Sequence, residues 1–206
     1  MKFFAYCAPW LRDGFRRQPA RRRFIYTAEN HNHAAEELEA AIGEAFPTTY
    51  YLNTVVGKMS GVVPEADCAA RKVVKLSPSA DRAHLVEAFN KIYISSAPGI
   101  EERQVANLYV KNDLLPFEEA KLYGHNAIHF LLGTLGKTAN CEYMSDLSRH
   151  PEFIALARQA FLHESGAALC RKYAGLDELF TPAGFQTYAE DLLVRALPRA
   201  QEPADA

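Results

Sequence analysis

Four polar side chains that could share one chemical task lie close together in the sequence: Lys121, His125, Asn126 and His129. Pro116 before them and the apolar run after them predict a helix. On a helix that turns about 100° per residue, the four side chains fall within an arc of about 140°. Partial burial beside two histidines would lower the pKa of the lysine, because desolvation and nearby positive charge both disfavour the ammonium form. Such a lysine can act as a general base near neutral pH.

Two other interpretations of these four side chains, the lysine–histidine stripe, stay open. The first is a solvated helix face that carries histidines incidentally. The second is a metal site, since His125 and His129 are four residues apart and His31 and His33 supply two more imidazoles. A hydrolase of the H-E-x-x-H type needs a glutamate directly after its first histidine, and Asn126 stands there instead. We therefore expect no metal.

The spacing K-L-Y-x-x-N-x-x-H from Lys121 to His129, with an apolar run and L-G after it, resembles the active-site helix of the polyol-specific long-chain dehydrogenases. That family includes mannitol dehydrogenase and mannitol-1-phosphate 5-dehydrogenase. The resemblance implies that Lys121 removes the alcohol proton, while Asn126 and His129 hold substrate hydroxyls and stabilise the alkoxide. It also implies NAD as hydride acceptor and, as substrate, a sugar alcohol or its phosphate oxidised at a secondary hydroxyl. His125 is a further substrate-binding candidate.

Two upstream segments resemble the same family, in the family's order. Residues 27–30 (T-A-E-N) are similar to a strand end in its nucleotide domain. By this resemblance Glu29 and Asn30 are cofactor-binding candidates. Residues 52–59 (L-N-T-V-V-G-K-M) are similar to its asparagine-containing strand, which implies that Asn53 touches the substrate.

The sequence also departs from the family pattern. Gly57 and Lys58 stand where the family has aspartate and arginine. One downstream segment still matches the family: residues 163–169 (H-E-S-G-A-A-L) resemble a helix of the mannitol-1-phosphate branch. Taken together, the resemblance extends over residues 20–196. However, the sequence contains no G-x-G-x-x-G, the turn that cradles a pyrophosphate at a helix N-terminus.

The missing glycine-rich motif leaves a second functional class open. The family's first βαβ half would precede residue 1, so the alternative is a truncated, non-catalytic relative that keeps a polyol-binding or assembly role. Without that half, an apolar sheet edge near the start of the chain would need a cover. Self-association or a partner subunit would provide it.

The hydrophobic pattern predicts an α/β remnant of a Rossmann-type sheet followed by a mainly α-helical domain. Strands are expected at 21–27, 50–56 and 71–76, and helices at 34–42, 83–90, 116–135, 151–173 and 181–196. Gly136 is expected to stop the third of these helices, and Thr181 to cap the last, with Pro182 at its first position. The expected domains are a partial nucleotide-binding segment (1–80), a helical catalytic domain (81–197) and a disordered tail (198–206), with the site at the junction of the two domains.

Composition restricts the class of protein further. With 206 residues, 49% of them hydrophobic and a net charge of -2, the chain is globular and has no electrostatic reason to bind nucleic acid or a membrane. The arginines between 16 and 23 predict a solvated basic loop, because few aromatic residues alternate with them. No apolar stretch approaches the roughly 20 residues of a membrane span, and the opening segment lacks a cleavage site. Four widely spaced cysteines are typical of a reducing compartment, so a cytoplasmic location is expected.

Overall fold

The computed structural model describes residues 2–29, 31–58, 60–86, 88, 91–103 and 105–196. The chain divides into two compact units, Met1–Asn112 and Asp113–Ala206. The first unit contains both sheets, and the second is helical in its described part. The predicted fold class, a Rossmann-like remnant followed by a helical region, is therefore confirmed.

The first unit combines two small sheets with three helices. Strands β1, β2, β5 and β6 form a four-stranded sheet in that order, and β3 pairs with β4. The pairs β1–β2 and β5–β6 are parallel, whereas β2–β5 and β3–β4 are antiparallel. The elements are α1 (Lys2–Arg16), β1 (Arg23–Thr27), α2 (Ala34–Ile42), β2 (Thr49–Val56), β3 (Ser60–Pro64), α3 (Glu65–Cys68), β4 (Arg82–Val86), β5 (Ile92–Ser95), a 3-10 turn (Ile100–Glu102) and β6 (Leu108–Lys111).

The segment β1–α2–β2 is a parallel strand–helix–strand unit. Its strands are rich in aromatic and β-branched residues, which suit a pleated surface. Leu38 and Ile42 of α2 are buried and form an apolar cluster with Ala8 and Phe15 of α1 and with Phe46. Gly43 ends α2 at φ 66°, a left-handed conformation that glycine adopts without steric cost. A second cluster is centred on Leu52, Ile94 and Ile100.

Two predictions within the first unit were wrong. Residues 83–90 were expected to be helical, but Arg82–Val86 form β4, paired along its length with β3. Pairing with β3 therefore decides the conformation of this segment against its helix-forming Ala and Leu. Residues 71–76 were expected to be a strand, but they form a turn and an irregular stretch in which Val74 and Leu76 are exposed. Both segments belong to the first compact unit, which extends to Asn112.

The second unit is built around two long helices, each interrupted by a π-helical segment. In the first, α4 (Leu115–Glu119) continues through the π segment Ala120–Asn126 into α5 (Ala127–Thr138). In the second, α6 (Pro151–Gln159) continues through the π segment Ala160–Gly166 into α7 (Ala167–Lys172). Short 3-10 helices at Met144–Arg149 and Glu178–Phe180 and the final helix α8 (Pro182–Ala196) complete the unit.

The two π segments pack closely in the core of the second unit. A Cβ on Gly124 would lie 2.7 Å from the ring of Phe161, so only glycine permits this approach. Phe161 in turn lies edge-on to Phe185 and Tyr188, with ring centroids 5.6 and 5.8 Å away. This aromatic cluster fixes the helix that carries the lysine–histidine stripe against α8.

The predicted ends of the helices were partly right. Thr181 caps α8 as expected: its hydroxyl accepts from the backbone N–H of Gly184 (3.0 Å), and Pro182 opens the helix. Gly136 does not stop α5, which runs on to Thr138. Gly136 is instead buried within the helix, where a Cβ would lie 3.3 Å from the Leu147 side chain. The small residue serves packing rather than termination.

Among the described residues, no helix is long and apolar enough to cross a membrane. The predicted tail at 198–206 lies outside the described residues.

Candidate active site

The candidate site is carried by the first π segment and the start of α5. A π turn contains one more residue than an α turn, and such turns are frequent at functional sites. Residues five apart, such as Lys121 and Asn126, are therefore nearer to alignment than in an α-helix. Of the predicted residues, the structure places Lys121, His125, Asn126 and His129 on this one continuous helix.

Lys121 is half-buried in the second unit. Burial lowers the pKa of its amine from the ordinary value, because removal from water disfavours the ammonium ion. The direction of this shift is the one that a general base requires.

His125 and His129 form a stacked imidazole pair, with ring centroids 4.9 Å apart and planes inclined by 17°. Burial, together with the charges of His129, Arg195 and Lys121, lowers the pKa of His125 to about 4. Burial and Arg195 also lower the pKa of His129. Both rings are therefore neutral near pH 7. The Nε2 atom of His129 is buried and has no hydrogen-bond partner among the described residues, so its hydrogen-bonding capacity is unused there.

A network of hydrogen bonds holds the start of this helix. The ammonium of Lys172 on α7 donates to both carboxylate oxygens of Glu119, at 2.7 and 2.8 Å. The hydroxyl of Tyr173 donates to the same carboxylate at 2.6 Å. Glu119 lies two residues before Lys121, so these contacts restrain the backbone that positions the amine.

Two residues near the stripe were not predicted. Glu118 is a buried carboxylate, 9% exposed, one helical turn before Lys121. Arg195 on α8 binds Asp191 through Nε (2.9 Å), and its charge acts on both histidines. The spacing of Glu118 and Lys121 in the sequence could have revealed the first residue, since side chains three apart share a helix face. The second depends on tertiary packing and leaves no local signal.

Asn53 lies in the first unit, on β2, where its amide caps a helix. Its Oδ1 accepts from the backbone N–H of Ala35 (2.9 Å), and its Nδ2 donates to the carboxylate of Glu36 (2.9 Å). Ala35 and Glu36 are in the first turn of α2, and His33 at the N-cap makes no side-chain capping bond. From the neighbouring strand, Asn53 thus caps the N-terminus of α2 by accepting from one of its backbone N–H groups. The sequence around Asn53 did not suggest this structural role.

We expect Asn53→Ala to lower the free energy of unfolding by about 1 kcal/mol, because a buried helix end loses its cap and Glu36 loses a donor. Urea denaturation followed by circular dichroism measures this loss. Glu36→Ala is the matched control: it removes one of the two hydrogen bonds and should cost less. An Asn53→Ala variant as stable as the parent protein would remove the capping role.

The predicted cofactor-binding residues follow β1. Glu29 is half-buried in the turn between β1 and α2, and its backbone N–H donates to the carbonyl of Thr27 (2.8 Å). Asn30 lies outside the described residues. In the same turn, Nδ1 of His31 accepts from the backbone N–H of His33 (3.2 Å). Within the described part of the chain, no three His, Cys, Asp or Glu side chains are grouped as metal ligands.

The lowered pKa of His125 predicts a pH-dependent stability. Between about pH 4 and its unfolded value of 6.5, the unfolded chain binds a proton that the folded chain does not. The stabilisation is therefore complete above pH 6.5 and is lost as the pH falls toward 4, by at most about 1.4 kcal/mol per pH unit. Chemical denaturation at several pH values, compared with His125→Gln, measures it. Parallel curves for the two proteins would contradict the prediction.

Comparison with known proteins finds likeness to solved structures. No protein-family model and no curated protein matches this sequence. The fold is similar to that of Pseudomonas fluorescens mannitol 2-dehydrogenase, solved as a ternary complex with NAD and D-mannitol, with a TM-score of 0.60 and 16% sequence identity. The match covers 84% of this chain and 36% of the dehydrogenase. The chain therefore shares the fold of about a third of that enzyme.

Proposed function

We propose that this chain carries the catalytic helix of an NAD-dependent polyol dehydrogenase. Its substrate would be a sugar alcohol or a sugar-alcohol phosphate, oxidised at a secondary hydroxyl. Lys121 is the general base in this proposal, Asn126 and His129 bind and polarise the reacting oxygen, and His125 assists substrate binding.

The observation that carries the proposal is the state of Lys121. Its amine is half-buried, its pKa is lowered by desolvation, and it lies on a π turn that continues into a pair of neutral, stacked imidazoles. Burying an amine costs free energy, and a structural role would be served as well by an apolar side chain. The likeness of the fold to a mannitol 2-dehydrogenase supports the same interpretation.

The side chains of this helix would carry out the proton transfer. In its unprotonated form, the Nζ of Lys121 accepts the proton of the substrate hydroxyl and becomes an ammonium. As negative charge develops on the oxygen, Nε2–H of His129 and the amide of Asn126 donate hydrogen bonds to it. His129 can donate there because its ring is neutral and its Nε2 has no partner in the described part of the protein. The new ammonium of Lys121 adds a further favourable charge.

NAD, when bound, accepts the hydride that leaves the substrate carbon. Glu29 would contact it from the turn after β1, since the carboxyl ends of parallel strands are where such folds bind ligands, and Asn30 remains the second candidate. This sequence contains no glycine-rich turn for the pyrophosphate. The second candidate function is a non-catalytic relative that binds polyols or serves assembly.

Parallel assays of binding and turnover test the proposal. The purified chain is titrated with NADH by fluorescence, then mixed with NAD and either D-mannitol or D-mannitol 1-phosphate while NADH formation is followed. We expect NADH to form with at least one of the two substrates. A polyol-dependent rise in Tm without NADH formation would select the non-catalytic alternative. No NADH formation and no effect of either polyol on Tm would contradict both.

A further inference from the structure

Helix α1 has two apolar faces, whose centres lie about 120° apart around the helix axis. Its inner face packs into the first unit: Ala8 and Phe15 are buried, and Phe4, Cys7 and Leu11 contact the same cluster. Its outer face carries Phe3, Tyr6 and Trp10, which are 75%, 73% and 79% exposed. A helix that is apolar on both sides is normally covered on both sides.

The three exposed aromatic residues form a continuous stripe. Their spacing of three and then four residues places them within about 60° of one another on the helix. Single exposed hydrophobic residues are ordinary on a protein surface, but adjacent large aromatic rings mark an interaction surface. We call Phe3, Tyr6 and Trp10 the aromatic stripe.

We propose that the aromatic stripe is a homodimer interface, in which α1 of one chain packs antiparallel on α1 of a second copy. A buried aromatic side chain contributes roughly 150–250 Å², so three rings that are three-quarters exposed offer roughly 350–550 Å² per chain. Two copies would bury roughly 700–1,100 Å² through these rings alone, which is most of the about 1,200 Å² at the lower end of stable interfaces.

Charge favours the antiparallel arrangement. Asp13 follows Trp10 by three residues on the same side of the helix, and its side chain is largely exposed beside Arg16 (3.7 Å). A parallel two-fold pairing would place Asp13 against Asp13. An antiparallel pairing places each carboxylate beyond the partner's aromatic stripe, at the hydrated rim, where charged groups are tolerated. Such a pairing is isologous, because each chain offers the same surface to the other.

The chain contains its own reporter for this contact. Trp10 is its single tryptophan, and it belongs to the aromatic stripe. We expect the emission of Trp10 to shift to the blue, and its quenching by acrylamide to weaken, as the protein concentration rises. Analytical ultracentrifugation of the same samples should show a monomer–dimer equilibrium.

The variant Phe3→Ser/Tyr6→Ser keeps the reporter and removes most of the stripe. We expect it to be monomeric, with Trp10 exposed at every concentration, and to keep the circular dichroism spectrum of the parent protein. Phe130→Ser, at a residue of the second unit that is 78% exposed, is the control and should dimerise like the parent. A parent protein that stays monomeric, or a double variant that dimerises as well as the parent, would overturn the proposal. So would a blue shift that requires vesicles containing phosphatidylserine, since the occupant would then be a lipid surface.

Discussion

Lys121→Ala is expected to lower kcat/KM for the oxidation of the polyol by about 10²- to 10⁴-fold, the range associated with loss of a positioned base. The physical reason is that the hydroxyl proton would then have to leave to water, without the desolvated amine that accepts it. Following NADH formation at saturating NAD measures the effect. The variant should remain folded, because it replaces a half-buried amine by a small apolar side chain.

Lys137→Ala is the matched control for this experiment. Lys137 lies on α5, the continuation of the same helix, but its side chain is exposed near the helix end. We expect its loss to leave the rate unchanged within a factor of about two, since this exposed amine takes no part in the proposed proton transfer and its removal barely changes stability. A Lys121→Ala protein that keeps most of the parent rate would exclude the lysine as the base.

Gly184→Ala should have the largest effect on stability. The Thr181 hydroxyl donates to the carbonyl of Glu178 (2.8 Å) and accepts from the N–H of Gly184 (3.0 Å), which brings that carbonyl against the first turn of α8. A Cβ on Gly184 would overlap the carbonyl oxygen and lie 2.9 Å from its carbon. Backbone cannot rotate away as a side chain can, so we expect a loss of about 2 kcal/mol or more. Thermal and urea denaturation would measure it.

Gly133→Ala should have the opposite effect on stability. Gly133 lies within α5, and a Cβ there would meet nothing within 4 Å. Alanine should stabilise the helix by about 0.5–1 kcal/mol, because glycine loses more backbone entropy on folding. Similar changes for Gly133→Ala and Gly184→Ala would show that helix propensity, and not the clash with Glu178, governs position 184.

Local signals in the sequence were sufficient to predict those elements whose conformation depends mainly on their own residues. The alanine and glutamate-rich run predicted α2 at 34–42 as it occurs, and Thr181 with Pro182 predicted the start of α8. The lysine–histidine stripe was placed on a helix for the same reason. The helix predicted from residue 83 was wrong because β3 determines the conformation of Arg82–Val86, and a strand partner distant in sequence leaves no local mark.

The finer features of the candidate site depend on tertiary contacts. A helical wheel drawn at 100° per residue assumes an α-helix and so could not predict the π turn at Ala120–Asn126. The effect of Arg195 on the pKa of His125 comes from a different helix. The capping role of Asn53 was likewise hidden, because its partners Ala35 and Glu36 lie on α2. Sequence reasoning thus found which residues share the helix, but not what surrounds them.

The π turn also explains a rhythm in the burial of the first long helix. Buried residues recur through the π turn at every fourth position: Ala120, Gly124 and Ile128. An unbroken α-helix would rotate Ala120 and Ile128 about 80° out of line, since eight residues exceed two turns. The extra residue of the π turn restores the alignment, so it acts as a phase correction between α4 and α5. Deleting one residue from this turn would swing everything after it, His129 included, by about 100° relative to Lys121.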